Sequence, residues 1–385
     1  MHDESLARAA HEARQGGPAV LAQALAASRA DTLATFTVYE QGLPGLAVPL
    51  RADINPPLWE LGHIGWFQAF WLARNPERAR GVRADPVAPR LRPGGDALYD
   101  SSHVPHDSRW ALTLPDAAAT RDMLAAQLDE TQALLREAGD GDDALYFYRL
   151  ALLHEDMHHE AALYMARGLG LPIPDPRWQP RPLPSPPAPL TLDVGHWRLG
   201  SPADAGFVFD NETPAVDVPL PPFSIDAQAV RWAEYLPFVE AAGLAAPRYL
   251  RRDGDTWLAW RHGEWQPLNL ALAACHLTLH EAEAWCRWAG RRLPTEAEWE
   301  CTACTRPEAF RWGDVWEWTA SPFAPFPGFQ PHPYRDYSAP WFDGRPVLRG
   351  ASHCTQPRLR HPRYRNFFPA TRNDVPAGFR SCAAG

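Results

Sequence analysis

The chain has 385 residues, with 37 cationic side chains against 46 acidic ones and a net charge of -9; it contains no lysine, so every cation is arginine. That absence excludes chemistry built on a side-chain amine, namely Schiff-base catalysis and the phosphate-gripping lysine of a P-loop. A hydrophobic content of 45% and a charged content of 22% are those of a folded globular chain, long enough for about two domains of roughly 150 residues.

The N-terminal stretch MHDESLARAAHEARQ carries acids and no apolar leader segment. No apolar run approaches the ~18 residues that span a bilayer, so a cytoplasmic chain with no membrane partner is expected. Further along, apolar residues at three- and four-residue spacing among Ala, Leu, Glu and Arg predict helices over 18–42, 56–74, 116–138 and 143–169. These four make a bundle over residues 1–171. Between the second and third helix, residues 75–115 form a loop too long for a simple bundle connection, which marks it as a functional segment.

Residues 172–189 read PIPDPRWQPRPLPSPPAP, a run that cannot hold a helix because proline removes the backbone donor. It is taken as the linker. From 190 to 385 short β-prone stretches such as LTLDVGHWRLG and PVLRGASH alternate with turn residues, and RWAEYLPFVEAAG and TLHEAEAWCRWAG are the clearest helices. The expected fold class is therefore α+β in two domains, without an internal repeat. The six cysteines, Cys275, Cys286, Cys301, Cys304, Cys354 and Cys382, all lie in this second half and read as thiols. Cys301 and Cys304 form a CxxC, open to a zinc or redox reading, but no second CxxC stands at ribbon spacing and packed thiols fit better. Scattered arginines and an acidic balance argue against nucleic acid and for a small-molecule site.

The segment LALLHEDMHHEAALY places His154 and His158 four residues apart on one helical face inside an apolar stretch. His63 lies on a second apolar helix, where it is the one strongly polar side chain between Glu60 and Gln68. Metal sites in bundles are built from facing helices, so the three histidines predict a three-imidazole face with open coordination positions. Spacing alone leaves zinc and iron equally open. Glu155, Asp156 and Glu160 read as solvated or supporting groups, and Arg109, Arg349 and Arg365 as further candidates to bind substrate.

The strings FDNE (209–212), FSID (223–226), WCRWAGRRLPTEAEWE (285–300), GDVWEWTASPF (313–323), VLRGASH (347–353) and AGFR (377–380) resemble the formylglycine-generating-enzyme fold, a variant C-type-lectin-like domain. Gly62–His63 and HEDMH at 154–158 resemble a DinB-like four-helix bundle. The two in this order, across a proline-rich linker, resemble the ergothioneine-pathway sulfoxide synthases and their relatives the selenoneine synthases. The resemblance implies a non-haem Fe(II) held by His63, His154 and His158. It also implies an O2-dependent reaction joining a chalcogen donor to imidazole C2 of hercynine, trimethylated histidine.

Near the C-terminus, where the family has Asn-Trp-Asp and then Arg in the substrate pocket, this chain has Asn366, Phe367, Phe368 and Arg372; Met157 stands where some members carry a substrate-binding Gln. These departures remove polar contacts suited to a γ-glutamylcysteine donor and favour the selenoneine branch with a selenosugar, ahead of a cysteine-using sulfoxide synthase. A C-terminal Tyr donates a proton in the family, and Tyr334 and Tyr337 are both candidates. Two other classes stay in view: a zinc-stabilised lectin-like binding module, and a formylglycine-type enzyme using copper and paired thiols.

Overall fold

A computed structural model describes residues 2–202 and 205–384. The N-terminal half is helical: α1 (His2–Gln15), α2 (Pro18–Gly42), α3 (Pro57–Trp71), α4 (Asp96–Tyr99), α5 (Ala117–Arg136) and α6 (Asp142–Gly168). Helix α2 opens with proline at its first position, where the missing donor costs nothing. Helix α5 opens on Asp116, whose carboxylate accepts from the Ala119 amide at 2.8 Å. The four expected helices form within a few residues of their predicted ends. Helix α1 was not anticipated.

Helix α3 is buried on nearly every face, since α5 and α6 cover two sides and the 75–115 segment a third. Gly62 allows that third covering, because a Cβ there would stand 2.3 Å from the Tyr99 ring. A buried arginine locks the bundle: Arg29 of α2 donates to Glu155 of α6, Gln68 of α3 and the Leu124 carbonyl of α5. Glu155, Asp156 and Glu160 are all buried, which sets aside the solvated reading and leaves the supporting one. Asp156 pairs with Arg358, and Glu160 accepts from Ser352, Thr355 and Trp316.

The second half mixes short strands and helices: β1 (Leu190–Leu192), β2 (Gly195–Leu199), β3 (Val216–Leu220), β4 (Phe223–Ile225), α7 (Trp232–Ala241), β5 (Leu250–Asp253), β6 (Thr256–Arg261), β7 (Glu264–Pro267), α8 (Leu279–Trp288), β8 (Arg291–Arg292), α9 (Glu296–Thr305), β9 (Trp316–Pro322), β10 (Pro346–Gly350), β11 (Asn366–Phe367), β12 (Ala377–Gly378) and β13 (Cys382–Ala383). The strands form a β1-β4-β13-β8 sheet, a β11-β10-β9-β12 sheet, the β2-β3 pair and the β5-β6-β7 meander. Capping boxes at Thr278/Glu281 and Thr295/Glu298 start α8 and α9. Arg349 and Arg365 are not free for substrate. Both are buried against Glu296, at 2.9 and 3.0 Å, and hold the core of this half. Cys301 and Cys304 lie on α9 as free thiols.

The two halves are tied by polar contacts that radiate from α6 and α1. Arg14 forms a bidentate pair with Glu212, with both contacts at 2.8 Å, and the Tyr146 hydroxyl meets His332 at 3.1 Å. His159 bridges Thr35 and Gln356; Gln356 donates to Nδ1, so Nε2–H donates to Thr35. Burial pushes His159 down to about 4 and His276 well below its usual range. Both are neutral in the folded state and take a proton near 6.5 when unfolded, so the stability they contribute is present above 6.5 and is lost as pH falls toward 4. One pH unit below 6.5 each costs about 1.4 kcal/mol. Urea unfolding of the metal-free protein is therefore expected to show a loss of roughly 3 kcal/mol or more between pH 7.5 and 5.5. A His159→Gln variant removes about 1.4 kcal/mol of that difference; an unchanged pH dependence rules the assignment out.

Candidate metal centre and substrate pocket

His63 enters the interior from α3, and His154 and His158 enter one turn apart from α6. The ring centroids stand 5.2 Å (His63 to His154), 4.8 Å (His63 to His158) and 4.4 Å (His154 to His158) apart. One nitrogen from each lies within 4.8 Å of the others.

Two of the rings are held by their other nitrogen. The Tyr99 carbonyl, carried by α4, accepts from His63 Nδ1 at 2.7 Å, and Glu60 accepts from His158 Nδ1 at 2.5 Å. Each bond fixes the tautomer and leaves the Nε2 lone pair free. Glu60 is itself braced by Asn55 at 2.5 Å, and Asn55 by Arg109 at 2.8 Å, so the carboxylate is aimed before any ligand arrives. His154 lies flat on Phe67, ring centroids 3.5 Å apart.

Burial, helped by His158, pushes His63 down to about 3, and burial drives His154 well below its normal range. Burial alone would raise Glu60, but His158 outweighs it and holds the carboxyl at about 2. Imidazoles kept neutral by burial, as His63 and His154 are, beside an ionised supporting carboxylate are what a divalent transition metal requires of its ligands. The donor set fits such an ion.

The other candidate residues are distributed around this centre. Tyr334 packs edge-on against Phe67 at 4.9 Å and stands 6.3 Å from the His154 ring. Tyr337 lies 6.0 Å from Tyr334, and its hydroxyl donates to the Tyr364 hydroxyl at 3.0 Å, which in turn reaches Met157 Sδ at 3.4 Å. Phe367 stacks on Phe323 at 4.1 Å with its edge toward Tyr337, and the Asn366 side chain accepts from the Phe367 amide. Phe368 lies against the Arg372 guanidinium at 4.7 Å, and Arg372 is paired twice with Asp374 at 3.0 Å. Arg109 stacks on Trp59 at 3.8 Å, behind Glu60 rather than beside the rings.

Sequence reasoning missed Glu60, Asn55 and the Tyr99 carbonyl. Glu60 had a signal, a carboxylate three residues before His63 on an apolar helix; a backbone carbonyl has none.

Residues 175–314 match the sulfatase-modifying factor enzyme 1-like domain. A hercynine oxygenase of Mycobacterium tuberculosis is 32% identical over 435 aligned positions, covering 94% of this chain and 98% of the relative. The chain belongs to the hercynine oxygenase family. A second hercynine oxygenase, of Mycolicibacterium smegmatis, is 30% identical over 94% of this chain and 97% of its own length. A formylglycine-generating enzyme of Streptomyces coelicolor is 31% identical over 31% of this chain and 48% of the relative. Kinship with the hercynine oxygenases thus runs through both halves, whereas the formylglycine-generating likeness covers less than a third of the chain. No helix among the described residues is long and apolar enough to cross a membrane.

Proposed function

We propose that the chain is an O2-dependent oxidoreductase acting on hercynine, with Fe(II) bound by His63, His154 and His158, and that it forms a carbon–selenium bond at imidazole C2 using a selenosugar donor. The observation that carries the metal assignment is the three-imidazole face with its Nε2 lone pairs freed by Tyr99 and Glu60. When bound, the ion supplies open positions for a substrate imidazole, a chalcogenolate and O2.

The protein's own part is to orient and to exclude. Tyr334 beside His154 begins a run of aromatic rings that continues through Tyr337 to Phe367, the surface a trimethylammonium group prefers. Tyr334 is the proton donor of the two tyrosines: it packs beside His154, whereas the Tyr337 hydroxyl is committed to Tyr364. The donor choice rests on Met157 and Phe368, which offer no charged group and no hydrogen-bond donor, and on Arg372, whose charge Asp374 already balances. An uncharged sugar suits that wall better than a dicarboxylate. Retention of Arg372 is the one feature favouring the sulfur version, with cysteine or γ-glutamylcysteine as donor.

The test is aerobic turnover of protein reconstituted with Fe(II), given hercynine and equal concentrations of a selenosugar bearing a free selenol, cysteine and γ-glutamylcysteine, with products read by mass spectrometry. The expected product is the selenium adduct at C2. Exclusive sulfur adducts overturn the donor assignment, and no hercynyl adduct with any donor overturns the function.

A further inference from the structure

Beyond His158, α6 runs on through Leu163, Tyr164 and Arg167, and nine residues at 1.5 Å each carry Arg167 about 14 Å along the axis from the histidine centre. There the helix end, the proline-rich segment and the β6-β7 hairpin enclose a cavity of two compartments, each of about 40 Å³. Both compartments share Arg167, Arg261, His276 and His353 in their walls. Next to the cavity the hairpin is seated on the helix end where Gly263 meets the Gly170 carbonyl; a Cβ on Gly263 would stand 2.8 Å from that oxygen.

The lining is cationic and undercompensated. Arg167 makes no ion pair among the described residues, its Nε is buried without a partner, and its guanidinium lies 5.3 Å from the Tyr249 ring. Arg261 donates to Gln179 at 2.8 Å and likewise meets no carboxylate within ion-pair distance among the described residues. Asp314, in the wall of the second compartment, is paired with Arg311. A buried guanidinium without a counter-charge, with a second, half-buried one lining the same space, costs stability that an entering anion would offset. Burial lowers the affinity of both arginines for their protons; Arg167 adds to the cost on Arg261, and both add to the burial that lowers His262.

Histidine sets the kind of anion. His276 is 3% exposed, its Nδ1–H donates to the Asp374 carbonyl at 3.2 Å, and its Nε2 has no partner. A neutral imidazole so held turns a lone pair, not a proton, toward a ligand. Burial and the nearby Arg167 keep it neutral. The backbone is strained to place it: His276 and Tyr249 both have φ of 63°. His262, at 53° and followed by Gly263 at 78°, has the backbone of a tight hairpin turn, but no such turn accounts for the other two.

We propose that this cavity is a binding site for hydrogen phosphate, with Arg167 and Arg261 gripping its unprotonated oxygens and His276 Nε2 accepting from its P–O–H. Guanidiniums match tetrahedral oxyanions by paired N–H donation, and a lone acceptor among them selects an anion that carries a proton. Sulfate, with the same shape but no O–H at neutral pH, leaves Nε2 unsatisfied. One water needs about 10–15 Å³ on this measure of volume, so each compartment has room for a small oxyanion. The site stands apart from the histidine centre and does not depend on the reaction assigned there.

Isothermal titration at pH 7.5 and matched ionic strength tests it with inorganic phosphate and with sulfate. Wild-type protein is expected to bind one phosphate saturably and sulfate at least tenfold more weakly. Arg261→Gln, at the half-buried end of a hairpin strand, is expected to lower phosphate affinity tenfold or more, and Arg167→Gln to do the same. His276→Asn, whose short side chain tolerates left-handed backbone, erases the preference for phosphate over sulfate. The proposal is overturned by the absence of saturable phosphate binding, by equal affinity for sulfate, or by folded Arg261→Gln protein that binds phosphate as the wild type does.

Discussion

Replacing His154 by alanine is expected to abolish stoichiometric iron binding and to lower turnover of hercynine by roughly a thousandfold or more, since a bound metal contributes several kcal/mol at the barrier and each 1.4 kcal/mol is a factor of ten. The fold should survive, because Phe67 loses a stacking partner but no charged or hydrogen-bonded group is left without its mate. Near-wild-type turnover by folded His154→Ala protein would sink the assignment. Glu60→Gln separates a ligand from its support. It weakens the acceptor that orients His158 without removing a donor atom, and is expected to lower metal affinity by about 10–100-fold while leaving some turnover at saturating iron. Metal analysis of both variants also tests the zinc-stabilised binding module. Tightly held zinc with no O2 consumption in the wild type would favour that module over the enzyme.

Arg29→Met is expected to produce the largest loss of stability. The arginine is 3% exposed, and its removal leaves Glu155, itself 2% exposed, with no cation and Gln68 with no donor at the junction of α2, α3, α5 and α6. Stranding one member of a buried ion pair costs roughly 3–5 kcal/mol, read here as a lower urea midpoint for unfolding of the bundle. The double variant Arg29→Met with Glu155→Leu should recover much of that loss, because replacing both partners by apolar groups leaves no charge to desolvate. If the double variant is no better than the single one, the cost lies in packing rather than in the uncompensated carboxylate.

The helices that build the centre were legible in the sequence because they are long and strongly periodic, and the grouping of His63, His154 and His158 was legible because the last two share one helical face and the first is the lone strongly polar group on a facing apolar helix. What escaped were groups whose role depends on a distant partner. Arg349 and Arg365 look in sequence like any surface arginine, yet both close on Glu296 from β10 and the segment before β11. Glu155, Asp156 and Glu160 read equally as solvated or supporting groups until α2 and the 352–358 segment are seen to cover them. Helix α9 had a readable start in the Thr295/Glu298 box, but so short a helix carries too little periodicity to stand out. The phosphate cavity is invisible at that level, since it gathers Arg167, Arg261 and His276 from separate elements, His276 on left-handed backbone.

The Tyr99 carbonyl that holds His63 belongs to the 75–115 segment, so the order of that segment and the occupancy of the centre are parts of one equilibrium. Whatever binds the three histidines also fastens the chain around them. The outer stretch of the segment carries Arg80 and Arg83 exposed to solvent, and with no lysine anywhere in the chain trypsin can cut only after arginine. Metal loading thus becomes visible to a protease: chelation should speed cleavage at these two positions, giving a gel-based measure of site occupancy that needs neither substrate nor oxygen.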